Sequence, residues 1–347
     1  PGLANGTPCA SDGGDCLSDA VLETRKVLRV ATALNGEKFD EPKSRFAFEY
    51  PGSVQGFETC PLHEGPQAVT RIGNLNEDSD ENGLAIAFDA IAKGITGSVS
   101  VPTFIDPKPR SRSETSYFEV LASPSIYGTQ TLRARLKTFG DDVPDVTPFI
   151  IYYDGDGVLA KRRGEPIKLR SGVTAIEWQV PDVGGLPIHR VGLELSAERR
   201  ISGRIGLLDM DWTGAPKAFV MGSAYDLSPR ISPFDISSYW VKSFMSSAKN
   251  FGPDVGSTFC LSHPASNGIA TTGSRDWVDY AVSSRLTLDL HKAAGLVARA
   301  RGHRRYYAGR VMDGKAQIVR RRDDAVDVLA EVPVNYAEHD TLDFTLS

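Results

Sequence analysis

The densest chemistry in this chain lies between residues 299 and 310, where Arg299, Arg301, His303, Arg304, Arg305 and Arg310 surround the adjacent pair Tyr306 and Tyr307. Guanidinium forks match carboxylate, sulfate and phosphate groups in two-point hydrogen bonds. Flat aromatic faces cover sugar CH patches while planar polar groups bond the hydroxyls. This combination makes Trp240, Arg299, Arg301, Arg305, Tyr306 and Tyr307 candidate contacts for a carbohydrate, with an acidic glycan or an ADP-ribose-like group as the charged variants. The competing reading is a solvated strand face whose arginines pair with nearby Asp and Glu. Neighbours in a strand point to opposite sides, so Tyr306 and Tyr307 cannot both be buried on one face. One of the two is expected to make contact. Trp277 is expected in the core of a strand.

Acidic residues gather at Asn76-Glu77-Asp78-Ser79-Asp80-Glu81-Asn82-Gly83. Hard oxygen ligands in a flexible loop are what Ca²⁺ takes, so Asp78, Asp80 and Glu81 are candidate ligands of a structural calcium, although the spacing departs from an EF-hand. An acidic solvated turn is the alternative. Asp154-Gly155-Asp156-Gly157 reads first as hairpin-turn chemistry. His63, His189, His263, His291, His303 and His339 are scattered without ligand spacing, and no nucleophile elbow, phosphate loop or dinucleotide fingerprint occurs. None of the four cysteines forms a two-residue pair. Cys9 and Cys16 could close a small loop, whereas Cys60 and Cys260 are expected as unpaired thiols. The compartment stays open between cytoplasm and secretion.

These groups need positioning elements, and the composition indicates which. The chain has 347 residues with 33 Gly and 21 Pro, a share of turn-formers above the average of about 12 %. With 41 % hydrophobic residues it can fill real cores. A formal charge of −5 gives no global drive toward nucleic acid or an anionic membrane, and no apolar run has the roughly 18 residues that cross a bilayer. A soluble chain of two modules is expected.

One helix is legible, N-capped by Ser18 and running to Leu34 before Gly36. From Phe46 the pattern changes to short β-branched and aromatic runs between turn residues: 45–50, 84–88, 117–121, 131–136, 149–153, 175–178 and 191–195. Thr131 to Leu136 alternates, with Arg133 and Arg135 turned to water. A second series occupies 277–282, 295–300, 305–311 and 316–319, with Asp313-Gly314 as a hairpin turn. Arg320-Arg321-Arg322 followed by Asp323-Asp324 reads as a self-compensated turn. The expected fold is all-β: a connector with one helix over 1–44, one antiparallel sandwich over 45–227 and a second over 228–347.

Thr271 to Tyr280, Ala294 to Arg299, Arg304 to Ala308 and Asp313-Gly314-Lys315 together resemble a laminin-G or concanavalin-like sandwich. More narrowly, they resemble the module on the C-terminal side of some ADP-ribosylglycohydrolase-family proteins. Gly52 to Phe57, Ala122 to Gly128, Trp178 to Asp182, Pro187 to Gly192 and Leu208 to Gly214 resemble the jelly roll that precedes it. The resemblance covers about residues 45 to 347 and implies an accessory, carbohydrate-binding role beside a helical hydrolase domain.

That family's hydrolase domain holds two Mg²⁺, and two sandwiches leave no room for it here. Gly13-Gly14-Asp15-Cys16-Leu17 has Leu where the family's metal motif needs a second Asp, so magnesium is expected only in a domain outside this sequence. The start at Pro1 without Met and the end at Ser347 inside a strand are read as the edges of a fragment. The alternatives are a self-contained polysaccharide hydrolase or lyase on a sandwich scaffold, and a structural interaction module.

Overall fold

The computed structural model describes residues 46, 48, 54–77, 81–102, 126–154, 158–186, 188–218, 245–248, 250–253, 259–264, 268–273 and 277–347. Eleven strands make up its first part: β1 (Glu58–Thr59), β2 (Val69–Asn74), β3 (Leu84–Ile91), β4 (Gly97–Pro102), β5 (Thr131–Phe139), β6 (Asp145–Tyr153), β7 (Leu159–Arg163), β8 (Ile167–Lys168), β9 (Val173–Gln179), β10 (Ile188–Ser196) and β11 (Ile201–Thr213). One sheet has the order β2-β3-β11-β5-β9, the other β1-β4-β10-β6-β7 with β8 on β6, and every pairing is antiparallel.

The two sheets face each other because their inward residues form one core. Leu84, Ile86, Leu132, Leu136, Ile205 and Leu207 of the first sheet share a single buried cluster with Val99, Val101, Ile150, Val191, Leu193 and Leu195 of the second. Burying each such side chain contributes about 1.5–3 kcal/mol. Trp212 and Phe46 close one end of the core, with ring centroids 6.1 Å apart. The first sheet is half-solvated as its alternation implies: Arg133 and Arg135 lie on its outer face beside Glu177 and Asp209. The second is different. Thr147, Phe149, Ile151 and Tyr153 on the outward side of β6 are as buried as its inward residues.

The later residues form β12 (Met245–Ser246), β13 (Asn250–Pro253), β14 (Phe259–Ser262), β15 (Ala270–Thr271), β16 (Val282–Thr287), β17 (Ala293–Ala298), β18 (Arg305–Met312), β19 (Lys315–Arg322), β20 (Ala325–Pro333) and β21 (Thr341–Leu346). Strands β17-β18-β19-β20 make an antiparallel four-stranded sheet, and β16 with β21 makes a two-stranded ribbon.

The all-β expectation is therefore borne out, and no α-helix occurs among the described residues. The helix 18–34, the strand 117–121, the loop cysteines Cys9 and Cys16 and the boundary at 228 lie outside those residues. Cys60 and Cys260 are free, as expected, and Cys60 is buried against Phe149 and Ile151. One strand reading is corrected. Residues 277–281 are not a strand, since Asp279 takes a left-handed φ of 52° and pairing starts only at Val282.

Candidate functional site

The arginine and tyrosine cluster is built on the β18–β19 hairpin. Asp313 and Gly314 both have positive φ, 51° and 70°, the mirror-image turn that matches strand twist. That turn fixes a register in which Arg305 faces Arg322, Tyr306 faces Arg321 and Tyr307 faces Arg320. Alternation then puts Arg305, Tyr307, Gly309 and Val311 on one face of β18, and Tyr306, Ala308 and Arg310 on the other. The β16–β21 ribbon covers the first face at its far end: Leu346 Cδ1 lies 3.5 Å from where a Cβ on Gly309 would stand, and Val311 is buried. Tyr307 lies nearer the start of the strand and is 38 % exposed. It is thus the exposed tyrosine. Tyr306, half-buried on the other face, has the Arg321 guanidinium 6.0 Å from its ring centroid.

Carboxylates hold these arginines in fixed directions. Arg305 reaches both oxygens of Asp323 at 3.2 Å, and Arg304 reaches Asp324 at 2.8 Å. The two turn aspartates therefore compensate the neighbouring strand's arginines, which corrects the reading of a turn neutralised by Arg320 to Arg322. Those three lie in β19. Arg320 donates to Asp327 Oδ2 from Nε at 3.2 Å and Nη2 at 2.9 Å, and Arg322 Nη2 approaches the same oxygen at 3.4 Å. The hydrogen bond from Arg305 holds the Asp323 carboxyl below its ordinary value, against a smaller effect of burial. The bond from Arg320 does the same for Asp327.

Arg301 is placed differently. Its backbone N–H donates to the Arg305 carbonyl at 2.8 Å and closes the turn before β18, while its exposed guanidinium has no carboxylate partner among the described residues. Period-two spacing would put Arg299 on the same face as Arg301, but the backbone turns it away. It has a left-handed φ of 51°, its N–H donates to Tyr280 Oη at 2.7 Å, and its guanidinium lies 3.6 Å from Asp279. Arg301, Arg305, Tyr307 and Arg320 are thus gathered at one end of the sheet, and Arg299 is turned toward the preceding segment.

Trp240, Asp78 and Asp80 lie outside the described residues. Both oxygens of Glu81 accept hydrogen bonds from Lys137 Nζ, at 2.8 and 2.7 Å. Trp277 packs rather than presents its face: its ring meets Tyr127 edge-on at 5.6 Å and lies over Gly273, where a Cβ would come within 2.6 Å of it. Tyr127 Oη also bonds Thr272 Oγ1 at 3.0 Å, so Tyr127 of the first sandwich meets both Thr272 and Trp277. His303 Nε2 meets Thr271 Oγ1 at 3.1 Å, and His339 Nδ1 meets Asp289 Oδ1 at 2.5 Å.

Sequence reasoning missed a second polar array, on the outward face of the β1-β4-β10-β6-β7 sheet. One row across it runs Glu58, Ser100, Gly192, Phe149, Arg163. A Cβ on Gly192 would stand 2.5 Å from Phe149 Cζ, so the Phe149 ring lies across the glycine, and Lys161 Nζ caps that ring at 4.2 Å. Lys161 continues to Glu194 at 2.6 Å, and Arg163 joins Glu194 to Glu64. Arg190, buried, bonds Ser100 Oγ at 2.8 Å and Glu58 at 2.5 Å. Burial pushes the Glu194 carboxyl up, but the hydrogen bonds and charges of Lys161 and Arg163 together bring it below its ordinary value.

A carboxyl held ionised is unfit to serve as the proton donor of a glycosidase pair, which needs a raised pKa. His63 Nδ1 bonds Ser98 Oγ at 2.7 Å, but its other nitrogen meets Thr96 rather than a carboxylate. Ser98 is also fully buried, so this pair cannot present a nucleophile. The signal was present as polar residues at 190 and 194 alternating with Val191, Leu193 and Leu195.

Antiparallel sandwich architecture is the class these sheets define, with an exposed tyrosine among carboxylate-anchored arginines as the candidate contact surface. No protein-family model and no curated protein matches the chain. Among solved structures, the chain is similar to a carbohydrate-binding module of the β-sandwich superfamily. That match has 16 % identity and a TM-score of 0.34, and it covers 49 % of this chain and 61 % of the other. The family 11 carbohydrate-binding module of a cellulosomal cellulase from Clostridium thermocellum matches at 15 % identity and a TM-score of 0.29, over 51 % of this chain and 96 % of its own. A xylan-binding domain of family 22 matches at 11 % and 0.29, over 48 % and 88 %.

Proposed function

We propose that this chain is a non-catalytic, carbohydrate-binding β-sandwich protein whose glycan contact is the Tyr307 face of β18 and β19. One observation carries the reading: Tyr307 is exposed on a sheet face with Arg305 and Arg320 beside it, each guanidinium anchored by Asp323 or Asp327. A ring on a rigid strand stacks on a sugar at little cost in side-chain freedom. Guanidinium and carboxylate pairs offer donors and acceptors in fixed directions to neighbouring hydroxyls. The binding role beside an ADP-ribosylglycohydrolase-like domain rests on the resemblance of the segments quoted above. It is tested by whether the coding sequence runs upstream into a helical, acid-rich domain.

The binding itself is tested by retardation in native gels cast with soluble polysaccharides. Retardation by at least one polysaccharide is expected, with Tyr307→Ala weakening it by about tenfold, a stacking contact of roughly 1.4 kcal/mol. Tyr306→Ala, on the opposite face, should leave the retention within about twofold. Release of reducing sugar by the chain alone would refute the non-catalytic part of the reading, and equal effects of the two tyrosine variants would refute the assigned face.

A further inference from the structure

Charge along the β18–β19 hairpin is unevenly distributed. At the Asp313-Gly314 end, Arg310 and Lys315 are balanced by Asp313 and Glu331. At the Tyr307 end, leaving out Arg321 on the opposite face, Arg301, Arg304, Arg305, Arg320 and Arg322 stand against Asp323, Asp324 and Asp327 among the described residues. The excess is two positive charges in a chain whose overall charge is −5. Geometry identifies two of the arginines that carry it. Arg301 has no carboxylate partner among the described residues, and Arg322, on the Tyr307 face opposite Arg305, only shares Asp327 with Arg320, at 3.4 Å. A neutral sugar gives no return for such self-repulsion, whereas an anionic one does.

We infer that the ligand of this surface is an anionic glycan, carrying uronate carboxylates or sulfate esters, with Arg301 as a specificity-determining residue. The inference rests on the carbohydrate reading above and adds the charge of the ligand to it. Tyr307 supplies the sugar-independent stacking contact, and Arg301, free to turn on its exposed stem, meets an acidic group on the adjoining residue of the polymer. Fork-shaped guanidiniums suit both carboxylate and sulfate, so the two sources are separated by experiment.

The test measures binding to two matched pairs, polygalacturonate against its methyl ester and dextran sulfate against dextran, at several salt concentrations. Polygalacturonate or dextran sulfate is expected to bind about tenfold more tightly than its neutral counterpart, as two exposed ion pairs of up to about 1 kcal/mol allow. That preference should fall as salt rises. Arg301→Ala should lose about two- to fivefold on the preferred polyanion and nothing on its neutral counterpart, and Arg301→Lys should recover most of the loss.

Equal binding within both pairs overturns the anionic inference while leaving the carbohydrate reading intact. Loss of all binding, or binding indifferent to Tyr307→Ala, overturns both. Tighter binding of single-stranded nucleic acid than of either polyanion assigns the patch to a phosphate backbone and also overturns the proposal.

Discussion

Replacing Glu194 by Gln tests the logic of the missed polar face directly. The Lys161 side chain is only 3 % exposed, and Glu194 is its one carboxylate partner among the described residues. Removing one partner of a buried pair costs about 3–5 kcal/mol, because the other charge is left without compensation. Two features reduce that figure here: the Gln oxygen still accepts a hydrogen bond, and the Phe149 ring 4.2 Å below Lys161 keeps a cation–π attraction of about 0.5–2 kcal/mol. The expected loss is therefore about 2–4 kcal/mol, or roughly 4–16 °C in Tm at about 2–4 °C per kcal/mol. Arg163 adds little to this, since it is 37 % exposed and its pairs are screened.

The pH dependence has a defined sign. The folded-state pKa of Glu194 is lowered, so its stabilisation is fully present above the ordinary value of 4.5 and is lost as pH falls through the lowered folded value. Urea unfolding at pH 7 and at steps below pH 4.5 should show the difference between wild type and Glu194→Gln shrinking with acidification. A double replacement, Lys161→Met with Glu194→Leu, should recover most of the loss, because a buried pair is often no better than packed hydrocarbon. A loss under about 1 kcal/mol at pH 7, or one that does not change with pH, would refute the argument.

Gly192→Ala and Gly309→Ala form a matched comparison by urea melts. The first puts a Cβ 2.3 Å from the Val99 carbonyl oxygen and should cost about 1–3 kcal/mol or more; the second meets Leu346 Cδ1 at 3.5 Å and Ile318 Cδ1 at 3.9 Å, both ordinary contacts, and should stay within about 0.5 kcal/mol. Leu136→Ala, fully buried in the shared core, should cost about 2–5 kcal/mol by the same measurement. Gly314→Ala keeps a left-handed φ of 70° that a Cβ disfavours, and a loss of about 1–2 kcal/mol in thermal unfolding checks that the turn sets the hairpin's register. Asp327→Asn should weaken glycan retention by about two- to fivefold in gel retardation through the lost orientation of Arg320, with no change in far-UV circular dichroism.

How far the sequence could be read depended on what each strand buries. Strands with one wet face announced themselves, because Thr131 to Leu136 alternates and Asp313-Gly314 leaves a single turn type. The longest strand, Ile201–Thr213, escaped notice because Gly203, Gly206, Asp209 and Asp211 interrupt its apolar pattern. Its glycines are there to make room: a Cβ on Gly206 would come within 2.8 Å of Leu75 Cδ1. Strand β20 was hidden for the opposite reason, since Val326, Val328, Leu329 and Val332 are largely exposed and no buried face imposes a period.

The candidate site divides along the same line. That Tyr306 and Tyr307 take opposite faces follows from strand geometry alone, whereas how much of Tyr307's face stays open depends on Leu346, 39 residues beyond Tyr307 in the chain, coming to rest over Gly309 at its far end. Local alternation can assign a side chain to a face, but only long-range packing decides which face stays open. The Arg301 charge illustrates this most sharply. Six arginines in two short runs look like a uniform basic patch in sequence. Only the hairpin register, by bringing Asp323, Asp324 and Asp327 against some of them and not others, turns that patch into anchored donors with a few uncancelled charges among them.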